Sequence, residues 1–285
     1  MKSSEREGSS GADESRFAGL FPDVDYRFQM RMRRMSVLDY FKPSVNANSV
    51  LAERGRWLRA EPARHLAYRP EAAGSVEEGY QHLRELDLIP QPSSADAVLS
   101  PDQLLREIGA GLEPDVVFLV PDAAGEFRMA AACVCFPSSW SLEEKIGRPL
   151  TEIHGPVPTL NAELGGAISQ FLLRMAPGIA WCRENWGLSA SPELNHHPSR
   201  ILPRLESTVK LSGVWLRVER QALVALPKSG GVLFAIRVEV FPIAEVISDP
   251  SARIGLRRGL ETMPEDVAGY KGLTAARERI IELLA

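Results

Sequence analysis

The sequence predicts an α+β fold in which an antiparallel β-sheet is flanked by helices, and three observations carry that expectation. Two strand-like runs, residues 115–120 and 128–136, follow one another across a short Ala/Gly turn. A second pair, 214–226 and 232–241, is joined by Pro227-Lys228-Ser229-Gly230-Gly231, the composition of a hairpin loop. Helical periodicity fills the chain before, between and after these pairs. Strands joined by short turns run antiparallel, and helices on one side are the natural cover for such a sheet. The order is not that of a doubly wound parallel sheet.

Taken in order, residues 1–16 form a polar run rich in Ser, Gly and Glu, expected to be a disordered tail without the apolar centre of a secretory signal. Residues 17–110 are expected to be a mainly helical N-terminal extension packed on the core. Within it, 21–41 mixes aromatic, Met and Arg residues without a clean period, and 46–88 is helical with interruptions, clearest from Val76 to Leu83. The Pro/Ser-rich 89–94 reads as a loop. Ser100 is an N-cap and Pro101 the first residue of a helix through Ile108. Residues 111–245 form the expected core, with a strongly helical 162–175 inside it. A C-terminal helical segment, 246–285, ends on an amphipathic helix from Ala275 to Leu284. No internal repeat is visible.

Composition excludes several classes. At 285 residues, 45% hydrophobic and 25% charged, the chain can bury a sizeable core of ordinary soluble type. A formal charge of -4 argues against a nucleic-acid partner. Arg27, Arg31, Arg33 and Arg34 form a local basic cluster, readable as a solvated face or as a holder for an anion. No apolar run is long enough to span a bilayer. Three cysteines, Cys133, Cys135 and Cys182, do not suggest a disulfide framework, and a reducing cytoplasm is the expected location.

The most informative stretch runs from Cys135 to Pro158. Ser141 with Glu144 has capping-box spacing, and Leu142 and Ile146 share a helix face. Gly147-Arg148-Pro149 interrupts that helix, and Pro149 can start a second short one. Leu150 and Ile153 give it an apolar side, with His154 at the edge, Gly155 as cap and Pro156 as stop. His154 is therefore mounted in one orientation beside apolar residues, as an iron-ligating neutral imidazole requires. A hydrogen-bonded structural histidine fits the same pattern.

Other residues carry paired readings. Strand alternation puts Arg217, Glu219 and Gln221 on one face and Val218 and Arg220 on the other. These charged residues, with Arg237, could equally form a salt-bridge lattice on an outer sheet face. Cys133 and Cys135 point to one side of their strand, as core residues or as a thiolate ligand. His196 and His197 precede Pro198 in a loop, solvated or capping a cofactor. Trp140, Trp181 and Trp186 bury large areas wherever they lie. Lys145 is expected at the surface. Three cysteines are one short of a usual [2Fe–2S] site, and no G-x-G-x-x-G follows a strand.

The run FPSSWSLEEKIGRPLTEIHGPVP, the later RENWGL from Arg183 to Leu188, and the ordered block LRVERQAL, LP and LFAIR between Leu216 and Arg237 resemble the α subunit of the haem-dependent oxidative N-demethylases. The resemblance covers roughly 115–243. It implies a PAS-like antiparallel sheet with flanking helices enclosing a haem pocket. It implies haem b held through His154 as iron ligand, with Arg217, Arg220 and Arg237 as partners for haem propionates and Trp140 as a wall. Glu219 and Gln221 become the candidates to orient an amine or polarise bound oxygen. The implied activity is oxidation of a small secondary amine of the dimethylamine type with O2, releasing formaldehyde. Electrons would come from reductase or electron-transfer subunits carrying flavin, an iron–sulfur cluster and NADPH. The sequence departs from the family pattern at Val238-Glu239, where threonine-tyrosine is usual, and this bears on the substrate pocket. A non-catalytic haem-binding PAS-like sensor or haem carrier is the alternative, separated by amine-dependent oxygen consumption.

Overall fold

The computed structural model describes residue 17 and residues 19–90 and 99–285; the tail expected at 1–16 and residues 91–94 of the expected loop lie outside them. The N-terminal part contributes β1 (Arg33–Met35), α1 (Val37–Phe41), α2 (Ala47–Ala60), α3 (Pro62–His65), β2 (Leu66–Tyr68), α4 (Ala73–Glu85) and α5 (Pro101–Gly111). Next come β3 (Asp115–Pro121) and β4 (Phe127–Cys133), then α6 (Leu142–Lys145), α7 (Leu150–Ile153) and α8 (Leu160–Leu173). After β5 (Ala180–Ser189), the hairpin of β6 (Trp215–Leu226) and β7 (Gly231–Pro242) leads to α9 (Ile243–Ile247), α10 (Pro250–Thr262), α11 (Glu265–Tyr270) and α12 (Arg277–Leu283).

Among the described residues, seven strands form one sheet in the order β1-β5-β6-β7-β3-β4-β2, every pair antiparallel. The β6–β7 hairpin is its spine, in register from Trp215 opposite Pro242 to Leu226 opposite Gly231. Its turn depends on Gly230, whose φ of +71° suits a residue without Cβ. The α+β antiparallel architecture is thus as the sequence predicts. Two features differ.

The first is that helices cover both faces. In β3, Val116 and Phe118 pack toward α2, α4 and α5, while Val117 and Leu119 pack toward α6 and α8. The reason is in the strand itself: residues 115–119 are buried consecutively, so neither face can be left to water. The second is that β5 and the three-residue edge strands β1 and β2 join the sheet without a clear alternating pattern. β5 carries charged or amide groups on both faces, Arg183 and Asn185 on one and Glu184 on the other, which hides a period of two.

β4 stops at Cys133, three residues earlier than its apolar run suggests, because the next amides are taken by other partners. Val134 N–H donates to the His65 carbonyl at 2.8 Å. The Asp115 carboxylate accepts from Cys135 N–H at 2.7 Å and Phe136 N–H at 3.0 Å. Arg54, fully buried, balances that carboxylate at 2.5 Å and also donates to the Gly109 carbonyl at 3.0 Å. A buried guanidinium fork is tolerable here because the carboxylate and carbonyl answer it. The direction in which the chain leaves the sheet toward Trp140 is therefore set by a buried ion pair.

α5 begins as expected, with Ser100 N–H donating to Gln103 Oε1 at 2.9 Å. The C-terminal helices pack Leu256, Leu260, Val267 and Ile280 against Leu188, Leu216 and Phe241 at one end of the sheet. There the N-terminal segment crosses α10 so closely that a Cβ on Gly255 would lie 1.9 Å from the Phe21 carbonyl oxygen. No helix among the described residues is long and apolar enough to cross a membrane.

Candidate functional site

His154 terminates α7. Its N–H donates to the Leu150 carbonyl at 2.9 Å, and its own carbonyl accepts from Val157 N–H at 2.9 Å. The helix is fastened to the sheet just before it starts: Gly147 N–H donates to the Met129 carbonyl at 2.7 Å, and Met129 N–H donates to the Arg148 carbonyl at 3.1 Å. Residues 147–149 thereby continue the edge of β4 beyond β2. Gly147 makes the bend at φ +79°. Pro149 is the extended residue preceding the helix, not its first turn, and Gly155 keeps a negative φ, so neither end is capped as the pattern suggests. Ser141 starts α6 but forms no side-chain cap, and the expected box with Glu144 is not made.

The His154 ring is half-buried. Burial first, then the charges of Lys145 and Arg183, push its pKa down to about 4, so the imidazole is neutral near pH 7. Among the described residues no hydrogen bond reaches the ring. Lys145, expected at the surface, is half-buried, with Nζ 5.2 Å from the Trp140 ring centre and 3.4 Å from the Ile153 carbonyl oxygen. His154, Lys145 and Trp140 thus share one corner beneath α6 and α7.

The sheet face turned toward this corner carries Trp181, Arg183 and Asn185 of β5 and Arg217, Glu219 and Gln221 of β6, as alternation requires. Arg183 lies opposite Gln221 and Asn185 opposite Glu219. The Glu219 carboxylate accepts from Ser138 Oγ at 2.6 Å, Gln221 Nε2 at 2.9 Å and Asn185 Nδ2 at 3.3 Å. Arg217 is committed to the chain around it. Its Nε donates to Ser138 Oγ at 2.8 Å, and its terminal nitrogens donate to the Phe136, Pro137 and Glu193 carbonyls at 2.8, 3.4 and 3.3 Å. Burial lowers the Arg217 pKa to about 10 against the pull of Glu219 and Asp115. Ser138 also bridges to His196, fixing the run that leads to Trp140.

Arg220 and Arg237 are not brought to this corner. They lie on the opposite face, where Arg220 pairs with Glu184 and Glu239. Arg33 reaches the same Glu184 at 3.0 Å. Arg237 donates to the Tyr40 and Lys42 carbonyls at 3.0 Å each and lies 3.5 Å from Glu113. A cavity of about 140 Å³ opens between Arg33, Asp39, Tyr40, Arg220 and Arg237. It is smaller than the ~300–1,000 Å³ usual for small-molecule sites.

The other candidates separate in the same way. Cys133, Cys135 and Cys182 are buried in the core beneath α2 and α5, and Cys133 Sγ accepts from Arg54 at 3.5 Å. His197 is buried beside Ser199 at 2.8 Å and Glu143 at 3.6 Å, with His65 at 6.2 Å between ring centres. The described residues contain no group of three or more metal-binding side chains. Trp181 packs edge-on against Phe171 of α8 at 5.3 Å, whereas Trp186 faces the C-terminal helices.

Two cations that sequence reasoning assigned no role stand beside Glu219. Arg183 has a buried Nε without a hydrogen-bond partner. Lys271, at the end of α11, donates from Nζ to the Trp186 carbonyl at 2.7 Å across the free edge of β5. Arg183 lay within the RENWGL run; nothing local marked Lys271. A family model described as haem-dependent oxidative N-demethylase, alpha subunit-like, matches residues 82–281, over two thirds of the chain.

Proposed function

Since the chain belongs to the haem-dependent oxidative N-demethylase alpha subunit-like family, we propose that it binds haem b through His154 and oxidises a small secondary amine of the dimethylamine type. The observation that carries this reading is the His154 corner: a neutral, half-buried imidazole fastened to β4, facing a sheet strip of Glu219, Gln221 and Arg183.

The donor set suits the group. A neutral imidazole is the form that ligates iron, and burial keeps it neutral well below pH 7. The neighbouring surface is apolar enough for a porphyrin. Along α8, Leu164, Ile168 and Phe171 are only half-buried, and Leu172 alone is fully covered. Trp140, Trp181 and Phe171 add flat aromatic faces in the same region. The long antiparallel strands with flanking helices support the PAS-like reading of the fold.

When bound, haem supplies activation of O2, chemistry the side chains lack. Removal of one methyl group as formaldehyde consumes O2, two electrons and two protons and also yields water. This chain's part is binding and proton handling. The Glu219 carboxylate has roughly four acceptor directions, and Ser138, Gln221 and Asn185 occupy three. One direction remains to hold a substrate ammonium or accept its proton. Gln221 orients the carboxylate and presents its carbonyl oxygen on the same face. Arg217 holds Ser138, and through it Glu219, in place. The electrons would come from partner subunits carrying flavin, an iron–sulfur cluster and NADPH.

The test is a pyridine-haem assay and Soret spectrum on protein purified or reconstituted with haem, followed by oxygen uptake with dimethylamine and a reductase. The expected result is one haem per chain and amine-dependent oxygen consumption. Haem binding without amine-dependent uptake would instead favour a sensor or carrier.

A further inference from the structure

We infer that Arg183 and Lys271 are the anion-binding pair of this site and hold the carboxylates of the haem. The inference rests on the haem reading and adds residues to it. It begins from a charge imbalance on one strip of sheet. Arg183 points from the same face as Glu219, one register step away, and Lys271 reaches the adjacent edge of β5. Glu219 is the one carboxylate both cations sense as a partner. Yet Ser138, Gln221 and Asn185 take three of its roughly four acceptor directions, and neither cation lies within ion-pair distance of it.

Among the described residues neither cation has an ion pair within reach. Arg183 Nε is buried and unanswered, and Lys271 is met by the neutral Trp186 carbonyl and by the Trp186 ring, 5.2 Å from Nζ, neither of which carries a negative charge. Arg217, the third cation of the strip, is fully consumed by backbone carbonyls and Ser138. Two sheltered positive charges therefore remain for which the described residues provide no anion within ion-pair distance, an arrangement that costs stability unless a ligand completes it. Both cations titrate below their usual ranges, Lys271 at about 8, because burial outweighs the attraction of Glu219.

The ligand's chemistry follows from the neighbourhood. Arg183 projects from the sheet face on which Trp181 packs against Phe171 of α8. Phe171 shares its apolar cluster with Trp140 and with Ile153, the neighbour of His154, so the unanswered charge and the candidate iron ligand border the same apolar surface. A flat, apolar, dianionic molecule satisfies both, whereas a free inorganic anion would leave the aromatic surface of Trp181 and Phe171 unused. An Arg fork and a Lys point charge are the two common ways of meeting a carboxylate.

The experiment compares wild type, Arg183→Gln, Lys271→Gln and His154→Ala for release of haem and of haem dimethyl ester to apomyoglobin, alongside thermal unfolding of the haem-free proteins. The inference expects Arg183→Gln and Lys271→Gln each to release haem about ten- to a hundredfold faster with the wild-type Soret position. It expects the ester, which lacks the charges, to leave wild type and both variants at similar rates. Without haem, both variants should be at least as stable as wild type, the opposite of a structural role. Arg183→Lys should recover part of the retention if Arg183→Gln folds poorly. Unchanged haem release, or an ester held by wild type as tightly as haem, overturns the inference while leaving haem binding intact. Failure of wild type to take up haem overturns both.

Discussion

The Ser138 hydroxyl donates to the Glu219 carboxylate at 2.6 Å while accepting from Arg217 Nε at 2.8 Å. Ser138 thus couples the loop that carries Trp140 to the strand that carries the candidate acid–base group. Their sequence separation of 81 residues makes this a contact of the folded sheet and not of any local motif.

Glu219→Gln keeps the size and planar shape of the group but removes its charge and replaces one acceptor oxygen by a donor NH2. The expected outcome is unchanged haem retention and a fall of about a hundredfold in amine-dependent kcat/KM, the scale of a lost acid–base group. Steady-state oxygen uptake together with the Soret spectrum measures both. Full activity in this variant would remove Glu219 from the mechanism.

The buried pair of Arg54 and Asp115 sets where β4 ends. Arg54→Leu leaves the Asp115 charge buried and unpaired, and the expected cost is about 3–5 kcal/mol of stability. Urea denaturation checks this. A loss below 1 kcal/mol would mean that the carboxylate is satisfied by Cys135 and Phe136 N–H alone.

Acid should unfold the protein earlier than carboxylate titration alone predicts. His196 is held at about 4, mainly by burial and then by Arg217, and burial likewise lowers His65. Each is neutral when folded yet binds a proton near pH 6.5 when unfolded, so stability is complete above that value. For His196 it is lost as pH falls from about 6.5 toward 4, by up to ~1.4 kcal/mol per pH unit, and His65 adds a loss of the same sign. Urea midpoints at pH 7 and pH 5 for wild type and His196→Asn test the point. Equal losses in the two proteins would exclude His196 as a source.

How much of this was legible in the chain depends on where each signal lies. The β6–β7 hairpin was readable because alternation, a Gly-containing turn and two long strands agree, and that alternation correctly separated Glu219 from Arg220. β5 was hidden because polar residues face both ways, and β1 and β2 are too short to show a period. The short helix before His154 was readable from the Pro149-Leu150 step, but its ends were not: Pro149 precedes the helix instead of opening it, and the fastening is a backbone pairing with Met129 that no side chain announces. Alternation alone parted Arg217 from Arg220, but that Arg237 lies on the Arg220 face needed the register, which sets the two directly opposite each other. Lys271 was invisible because it arrives from a helix 52 residues beyond Glu219 in sequence, and its meaning appears only beside an unanswered Arg183.

The most direct test of the account is the haem spectrum of wild type beside His154→Ala. The prediction is stoichiometric haem in wild type with an imidazole-ligated Soret band, and loss or displacement of that band in the variant. Wild type that takes up no haem, or a variant whose spectrum is indistinguishable from wild type, would contradict it.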